Sequence, residues 1–248
     1  MKLLYHYTFL QNLYNIVKPN GLIWLARYYK YFNEKDYEWI RNEAQPIVLE
    51  ICKEHNWSFD PDLQMLRPYI ISFCKSPNSE YMWKYFGNDN HGVNLVISED
   101  VLRKEATLLS ENPSIIIPGE YIKAKWTRTE LKKSILKIAE SKLLHNCHDE
   151  DRMLFATIGL LRNHYWRQKE IRYITIEKNF AKVEYNNGEI TLIPYEVPKS
   201  EYDKFISFPK DLLHRVILGK ETSQRDFENA NIYLANCGYP PSVIRKQK

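Results

Sequence analysis

Residues 163–176 read NHYWRQKEIRYITI and contain the strand on which the fold prediction depends. Ile171–Ile176 alternates apolar with other side chains, a pattern that predicts a strand. At its start, Gln168, Glu170 and Arg172 share one face. A carboxylate and a guanidinium are costly to bury unless they pair with each other or bind something. Two interpretations remain open: an exposed edge face carrying a Glu170–Arg172 pair, or a carboxylate that lines a cleft.

Strands and helices are interspersed along the rest of the chain without a regular βαβ alternation, which predicts a single α+β domain. The other predicted strands are Leu3–Tyr7, Leu22–Ala26, Tyr69–Cys74, Val93–Ile97, Ile115–Ile117, Tyr121–Trp126, Ala181–Tyr185, Glu189–Ile193 and Val216–Leu218. The predicted helices are Leu10–Val17 with Thr8 as N-cap, Lys35–Asn56 with a break near Pro46, Ser79–Tyr85, Thr129–Leu144, Asp149–Tyr165 and Ser223–Asn236. Helical insertions are expected at about 35–67 and 127–165.

The composition is that of a soluble globular protein. In 248 residues, 35 Lys and Arg stand against 31 Asp and Glu, hydrophobic residues make up 44% and charged residues 27%. No window approaches the roughly 18 continuous apolar residues of a membrane helix, so no membrane association is expected. Polar residues interrupt the first apolar stretch, which argues against a signal peptide. Four cysteines without a CxxC pair are typical of free thiols in a reducing cytoplasm.

Some classes of site are disfavoured. With eight glycines, the chain lacks the Gly-rich phosphate loops of a doubly wound nucleotide-binding sheet. His145–His148 and Cys52–His55 contain zinc-type ligands but no CxxC knuckle, so no metal site is predicted. The basic stretch Lys123–Lys137 keeps nucleic-acid binding open, although such a run is usually a solvated helix face.

Two further segments carry polar and aromatic side chains at strand ends. In Tyr5–Thr8, His6 points away from the face shared by Tyr5 and Tyr7, and it is either a core histidine or a ligand-binding one. Ser72–Ser76 leads into a helix on which Trp83 and Tyr85 point in different directions. One of these two aromatic side chains can anchor the core while the other faces a cleft; the alternative is an aromatic helix packed on the sheet.

Taken in order, these segments resemble the bacterial domain-of-unknown-function 2971 family. The matching patches are Leu4–Thr8, Leu10–Val17, Leu22–Leu25, Phe32–Glu34, Ile71–Cys74, Met82–Tyr85, Gly92–Val93, the Gln168-x-Glu170-x-Arg172 run after an aromatic residue, and Val216–Gly219. Where this chain has Gln168, the commoner family pattern has Glu. The resemblance covers nearly the whole chain in patches.

The layout of that family is in turn similar to the ADP-ribosyltransferases, in which a His, a Tyr and a late Glu surround NAD. This resemblance implies a mixed, mainly antiparallel split sheet flanked by helices, with NAD as substrate. Glu170 would be the catalytic carboxylate, and Gln168 would help to orient the acceptor. His6 would contact the nicotinamide ribose, and Tyr85 (or Trp83) would stack on nicotinamide.

The remaining residues that the resemblance places around NAD are Tyr7, Thr8, Ser72 and Arg172. Arg172 would either pair with the pyrophosphate or hold Glu170 ionised. The acceptor would be a protein, a nucleic acid or water, and a role as toxin or antiphage effector is compatible with this chemistry. The alternatives are a nucleic-acid-binding or nucleic-acid-modifying protein, and an interaction module in which His6, Tyr85 and Glu170 do not converge.

Overall fold

The structure of the chain, a computed structural model, describes residues 2–18, 22–27, 39–57, 68–105, 114–122, 125–162, 169–176, 181–186, 189–194, 204–207 and 209–247. The strands are β1 Leu3–Thr8, β2 Leu22–Arg27, β3 Pro68–Cys74, β4 Val93–Ser98, β5 Ser114–Pro118, β6 Glu120–Ile122, β7 Leu160–Arg162, β8 Glu170–Ile176, β9 Ala181–Asn186, β10 Glu189–Pro194, β11 Lys204–Ser207, β12 Leu213–Leu218 and β13 Ile244–Lys246. The α-helices are α1 Leu10–Ile16, α2 Gln45–His55, α3 Glu80–Tyr85, α4 Glu99–Glu105, α5 Arg128–Ala139, α6 Asp149–Ile158 and α7 Gln224–Asn236.

Nine of the described strands form one sheet, which is antiparallel except for the β12–β13 pair. β3 lies inside it and pairs with β8 along its whole length, from Pro68 to Cys74. β5 pairs with the other edge of β8. The α+β class and the mainly antiparallel sheet are therefore confirmed.

The second edge of β3 is divided between two partners. β2 pairs with its first part, where Ala26 lies opposite Ile70. β1 pairs with its end, where Tyr5 lies opposite Cys74. From β1 the sheet continues through β4 and β12, and from β2 it continues to β11. This edge of β3 thus changes its partner from β2 to β1 around Ser72, which lies midway between Ile70 and Cys74.

Each face of the sheet is covered by helices. One core joins sheet residues such as Ile70 and Ile174 to the apolar sides of α2, α5 and α6. The other joins Phe73 and Tyr173 to α1 and α7. A fully buried Leu, Ile or Phe in either core contributes roughly 1.5–3 kcal/mol through removal of apolar surface from water. The helices α2, α5 and α6, which lie within the two stretches where helical insertions are expected, therefore cover the first face. In the part of the chain that the structure describes, no helix combines the length and apolar character required to cross a membrane.

Several element boundaries differ from the sequence prediction. The helix expected to reach Tyr165 ends at Ile158, because Gly159 turns the chain into β7, which pairs in parallel with β6. An added Cβ at Gly159 would lie 3.0 Å from the Cδ1 atom of Ile117, so the turn is tightly packed. Residues 163–165 lie outside the described residues.

Thr8 is not the N-cap of α1. Phe9 occupies that position without a side-chain cap, and the Thr8 hydroxyl instead accepts a hydrogen bond of 2.6 Å from the Asn12 amide. The side chains of Ser79 and Ser223 cap α3 and α7. The break expected near Pro46 is a change from a π-helical segment, Ile40–Ala44, into α2.

Other elements were shorter than predicted or not predicted. Of the strand expected over Tyr121–Trp126, the described part is β6, and Lys125 and Trp126 are not in a strand; residues 123 and 124 lie outside the described residues. The helix expected to reach Leu144 ends at Ala139 and is followed by a 3-10 turn, Lys142–Leu144. The sequence patterns did not predict α4, β11 or β13.

Candidate active site

Glu170 and Arg172 form a buried ion pair in the interior of the sheet. Their residues are 4% and 1% exposed. The Nε atom of Arg172 donates to Oε1 of Glu170 at 2.8 Å, and Nη2 donates to Oε2 at 3.4 Å. Because β8 lies between β3 and β5, the interpretation as an exposed edge face is wrong, although the ion pair itself was expected. Two buried charges of this kind are tolerated because each compensates the other.

Two more groups bond the pair. Ser72 lies opposite Arg172 in the β3–β8 register, and its hydroxyl donates to Oε1 of Glu170. The Nη1 atom of Arg172 donates to the carbonyl oxygen of Ile158, the last residue of α6. The ion pair therefore connects two strands with the end of a helix, and Ser72 and Arg172 both bond the Glu170 carboxylate directly.

His6 reaches the same group of residues through the backbone of Ser72. Its Nδ1 atom lies 3.1 Å from the Ser72 carbonyl oxygen, so we assign the ring proton to Nδ1. The ring is half-buried and packs edge-on against Phe73, with centroids 5.8 Å apart. Burial lowers the pKa of His6 below its ordinary value of 6.5, and the hydrogen bond to Ser72 opposes this only in part.

His6 and Glu170 nevertheless lie on opposite faces of the sheet. Tyr5, Cys74 and Glu170 are cross-strand neighbours and share one face, whereas His6 follows Tyr5 and points to the other. Ser72 joins them because its carbonyl, in the plane of the sheet, bonds His6 while its hydroxyl bonds Glu170. We call His6, Ser72, Glu170 and Arg172 the carboxylate network.

The aromatic residues of the predicted site are divided between core and surface. Trp83 is fully buried and packs edge-on against Tyr7, with ring centroids 5.0 Å apart. Tyr85 is 61% exposed, and its ring lies 4.7 Å from that of Tyr81 on the same helix. One of the two aromatic side chains therefore anchors the core as expected, whereas the expectation that the other faces a cleft stays a prediction. In this structure Trp83 is enclosed in the core, which leaves Tyr85 as the accessible aromatic of the pair.

The other predicted residues are placed as follows. The Tyr7 hydroxyl donates to the carbonyl of Ser76 at 2.7 Å, which fixes the turn between β3 and α3. Thr8 is buried against Asn12. Gln168 lies outside the described residues. The structure therefore joins His6, Ser72, Glu170 and Arg172 and leaves Thr8 and Tyr85 outside this network.

Tyr121 is a component of the site that the sequence prediction missed. Its hydroxyl oxygen accepts a hydrogen bond of 2.6 Å from the backbone N–H of Glu170. The carbonyl of Glu170 in turn accepts from the N–H of Gly119 at 3.1 Å. Tyr121 is half-buried, and burial raises its pKa to about 12, so it is a neutral phenol at physiological pH. Nothing in the residue spacing indicated that the Pro118-Gly119 turn folds Tyr121 back onto β8.

The chain enters β8 through a strained residue. Lys169 has φ of 44°, in the left-handed region that non-glycine residues rarely occupy. Its carbonyl accepts from the N–H of Lys75 at 3.2 Å, which holds the residue in place beside the end of β3. Strain of this kind persists only where surrounding contacts enforce it, and it often accompanies functional sites. Here it sets the position of the Glu170 backbone.

Neither a metal nor an accessible basic face is favoured by the described residues. They contain no group of three His, Cys, Asp or Glu side chains arranged to hold a metal ion. In the basic stretch, Lys132 binds Glu50 at 2.9 Å and Glu54 at 2.6 Å. Arg128 also pairs with Glu50, and Lys137 pairs with Glu120. These carboxylates neutralise much of the charge that a phosphate backbone would need.

Comparisons with models of protein families, with curated proteins and with solved structures found no match. The resemblance to the domain-of-unknown-function 2971 family and to the ADP-ribosyltransferases therefore stays a prediction. What this chain does has to be inferred from its own residues.

Removing one partner of the Glu170–Arg172 ion pair should lower the free energy of unfolding more than removing both partners. We expect Glu170→Leu or Arg172→Leu alone to lower the free energy of unfolding by about 3–5 kcal/mol, because a buried charge loses its partner. The double variant should lose less than either single variant, because it leaves no buried charge without its partner. Urea-induced unfolding measures all three values. Additive losses would show that the two side chains do not depend on each other.

His6 should make the protein less stable in acid. Because its folded-state pKa lies below 6.5, the unfolded chain binds more protons than the folded one as pH falls below that value. Stability from this residue is therefore full above pH 6.5 and is lost as the pH falls towards the folded-state pKa.

The variant His6→Gln should remove this part of the pH dependence when thermal unfolding is followed between neutral and acid pH. His214→Gln, at an exposed position, is the matched control and should follow the wild type. An unchanged acid slope in His6→Gln would contradict the account of His6.

Proposed function

We propose that this chain is an ADP-ribosyltransferase-like protein that binds NAD and transfers its ADP-ribose to an acceptor or to water. The observation that carries the proposal is the Glu170 carboxylate, which is buried in the sheet and held in place by Ser72 and Arg172. A carboxylate fixed before the reaction stabilises developing positive charge without reorganising solvent. The resemblance to the ADP-ribosyltransferases supports the same assignment, and the proposal includes membership of the domain-of-unknown-function 2971 family.

Cleavage of the bond between ribose and nicotinamide requires such a carboxylate. When the bond between the ribose C1′ and the nicotinamide nitrogen breaks, the electron pair leaves with nicotinamide and the ribose becomes an oxocarbenium-like cation. Glu170 would hydrogen-bond the 2′-hydroxyl and face this charge, which it stabilises more in the transition state than in the ground state. The acceptor or water then forms the new bond at C1′ and loses a proton.

The network suggests how its other members contribute. Arg172 is engaged with Glu170 and with Ile158, so we assign it the task of positioning the carboxylate rather than of binding pyrophosphate. His6 approaches from the other face and bonds the Ser72 carbonyl, so we assign it to positioning Ser72. Tyr85 is the exposed aromatic that can stack on nicotinamide. We keep Gln168 as the residue that would orient the acceptor.

The acceptor is proposed to be a macromolecule, protein or nucleic acid, with hydrolysis as the competing outcome. A toxin or antiphage effector would use this chemistry in either form. No contact of the described residues favours nucleic-acid binding as a separate function, because Arg128, Lys132 and Lys137 are paired with carboxylates.

Replacing the carboxylate should stop NAD turnover. The variant Glu170→Gln suits the test better than Glu170→Ala, since the amide fills the same volume and still accepts from Ser72. We expect it to slow nicotinamide release from NAD roughly 100- to 1,000-fold, as removal of one preorganised electrostatic group does in other enzymes. Release is measured by chromatography with the purified protein.

The matched control is Glu99→Gln. Glu99 is also a buried carboxylate, 6% exposed, and accepts a hydrogen bond of 2.8 Å from Arg103, but it lies outside the carboxylate network. It should keep wild-type turnover. If the wild type releases no nicotinamide and NAD does not raise its melting temperature, the enzymatic proposal is wrong and an interaction module is left.

A further inference from the structure

The Tyr121 hydroxyl accepts a hydrogen bond but donates none within the described part of the chain. The only hydrogen bond of this phenol in the described part of the chain is the one that its oxygen accepts from the N–H of Glu170. A tyrosine hydroxyl can accept and donate at the same time. The side chain is half-buried, and its pKa of about 12 keeps the proton on the oxygen.

The position of this donor is set by the fold. The short β6 leaves the main sheet after the Pro118-Gly119 turn and pairs with β7, and this pairing fixes Tyr121 opposite Leu161. Both backbone polar groups of Glu170 are bonded from this segment, the N–H by Tyr121 and the carbonyl by Gly119. The phenol therefore keeps a constant place beside the residue that carries the carboxylate.

From this juxtaposition we propose that Tyr121 contacts the substrate, donating its hydroxyl proton to an oxygen of the ribose that lies against Glu170. The inference rests on the proposed function and adds a residue to it. In this arrangement the carboxylate accepts from one ribose hydroxyl while the phenol donates to a neighbouring ribose oxygen. A ligand with both groups is a polyol such as ribose, whereas nicotinamide alone offers no such pair of hydroxyls.

The difference between Tyr121 and the other tyrosines near the site supports this choice. The Tyr7 hydroxyl already donates to the carbonyl of Ser76 at 2.7 Å. Tyr85 is exposed, and its ring lies against Tyr81. Tyr121 alone among these three has its hydroxyl on the backbone of Glu170 with its proton uncommitted.

The test uses ADP-ribose and nicotinamide as separate probes of the full chain. With tyrosine labelled by ¹³C at Cζ, the resonance of Tyr121 is identified by its loss in Tyr121→Phe. We expect ADP-ribose to shift this resonance and nicotinamide to leave it unchanged. A role confined to holding the Glu170 backbone would not move it, since that hydrogen bond exists before the ligand binds.

Binding to the variants gives the second measurement. Tyr121→Phe should weaken ADP-ribose binding about tenfold, a usual loss for one hydrogen bond to a neutral group. The control is Tyr14→Phe, at a tyrosine whose ring packs against Tyr233 and has no part in the proposed site, and it should bind ADP-ribose as the wild type does. If the wild type binds ADP-ribose but the Tyr121 resonance does not move, or Tyr121→Phe binds equally well, this inference is wrong and the proposed function stands. If neither ADP-ribose nor NAD binds the wild type, both are wrong. Where Tyr121→Phe folds too poorly for the assignment, labelled tyrosine incorporated at position 121 alone gives the same resonance in the unsubstituted protein.

Discussion

The central constraint on this structure is the charge pair that lies in the middle of its sheet. Glu170 and Arg172 are nearly inaccessible to water, and neither would be tolerated there without the other. The face of β8 that carries both side chains must therefore pack against polar groups at this point rather than against an apolar layer. Ser72 on β3 and the last carbonyl of α6 supply them. The register of two strands and the end of a helix are all coupled to this pair.

The same constraint explains why the sheet branches where it does. β3 exchanges one neighbour for another around Ser72, and the imidazole of His6 bonds the Ser72 carbonyl at this point. In a regular sheet, a single strand would pair with the whole of this edge of β3. The branch places β1 beside Ser72, whose hydroxyl bonds the Glu170 carboxylate from β3. Under the proposed function, a fixed carboxylate of this kind is what the departure of nicotinamide from NAD requires.

The sequence predicted the helices and strands better than it predicted which strands pair with each other. Local alternation predicts β8 to within one residue, since the strand begins at Glu170 rather than at Ile171. The pairing of Glu170 with Arg172 follows from their shared face. That β8 is an interior strand does not, because its partner Ser72 lies 98 positions away and local patterns do not report long-range pairing. The hydrogen bond from Glu170 to Tyr121 was missed for the same reason. The end of α6 was placed too late, since the apolar pattern continues into β7.

The site predicted from resemblance was brought together only in part. His6, Ser72, Glu170 and Arg172 form one network, because they all lie on or beside β3. Trp83 is in the core and Tyr85 is on the surface. Helical spacing predicts that the two side chains point in different directions, but not which of them is buried. Thr8 is buried one residue before the N-cap position, where its hydroxyl serves Asn12 rather than the backbone of α1.

A crystal structure of the chain with ADP-ribose bound tests the central claim most directly. The account predicts that a ribose hydroxyl lies at hydrogen-bond distance, about 2.6–3.2 Å, from a carboxylate oxygen of Glu170, with Arg172 still paired to the same carboxylate. A complex in which the ribose binds elsewhere, while Glu170 contacts only Ser72 and Arg172, would contradict it. The carboxylate would then be a structural element of the sheet.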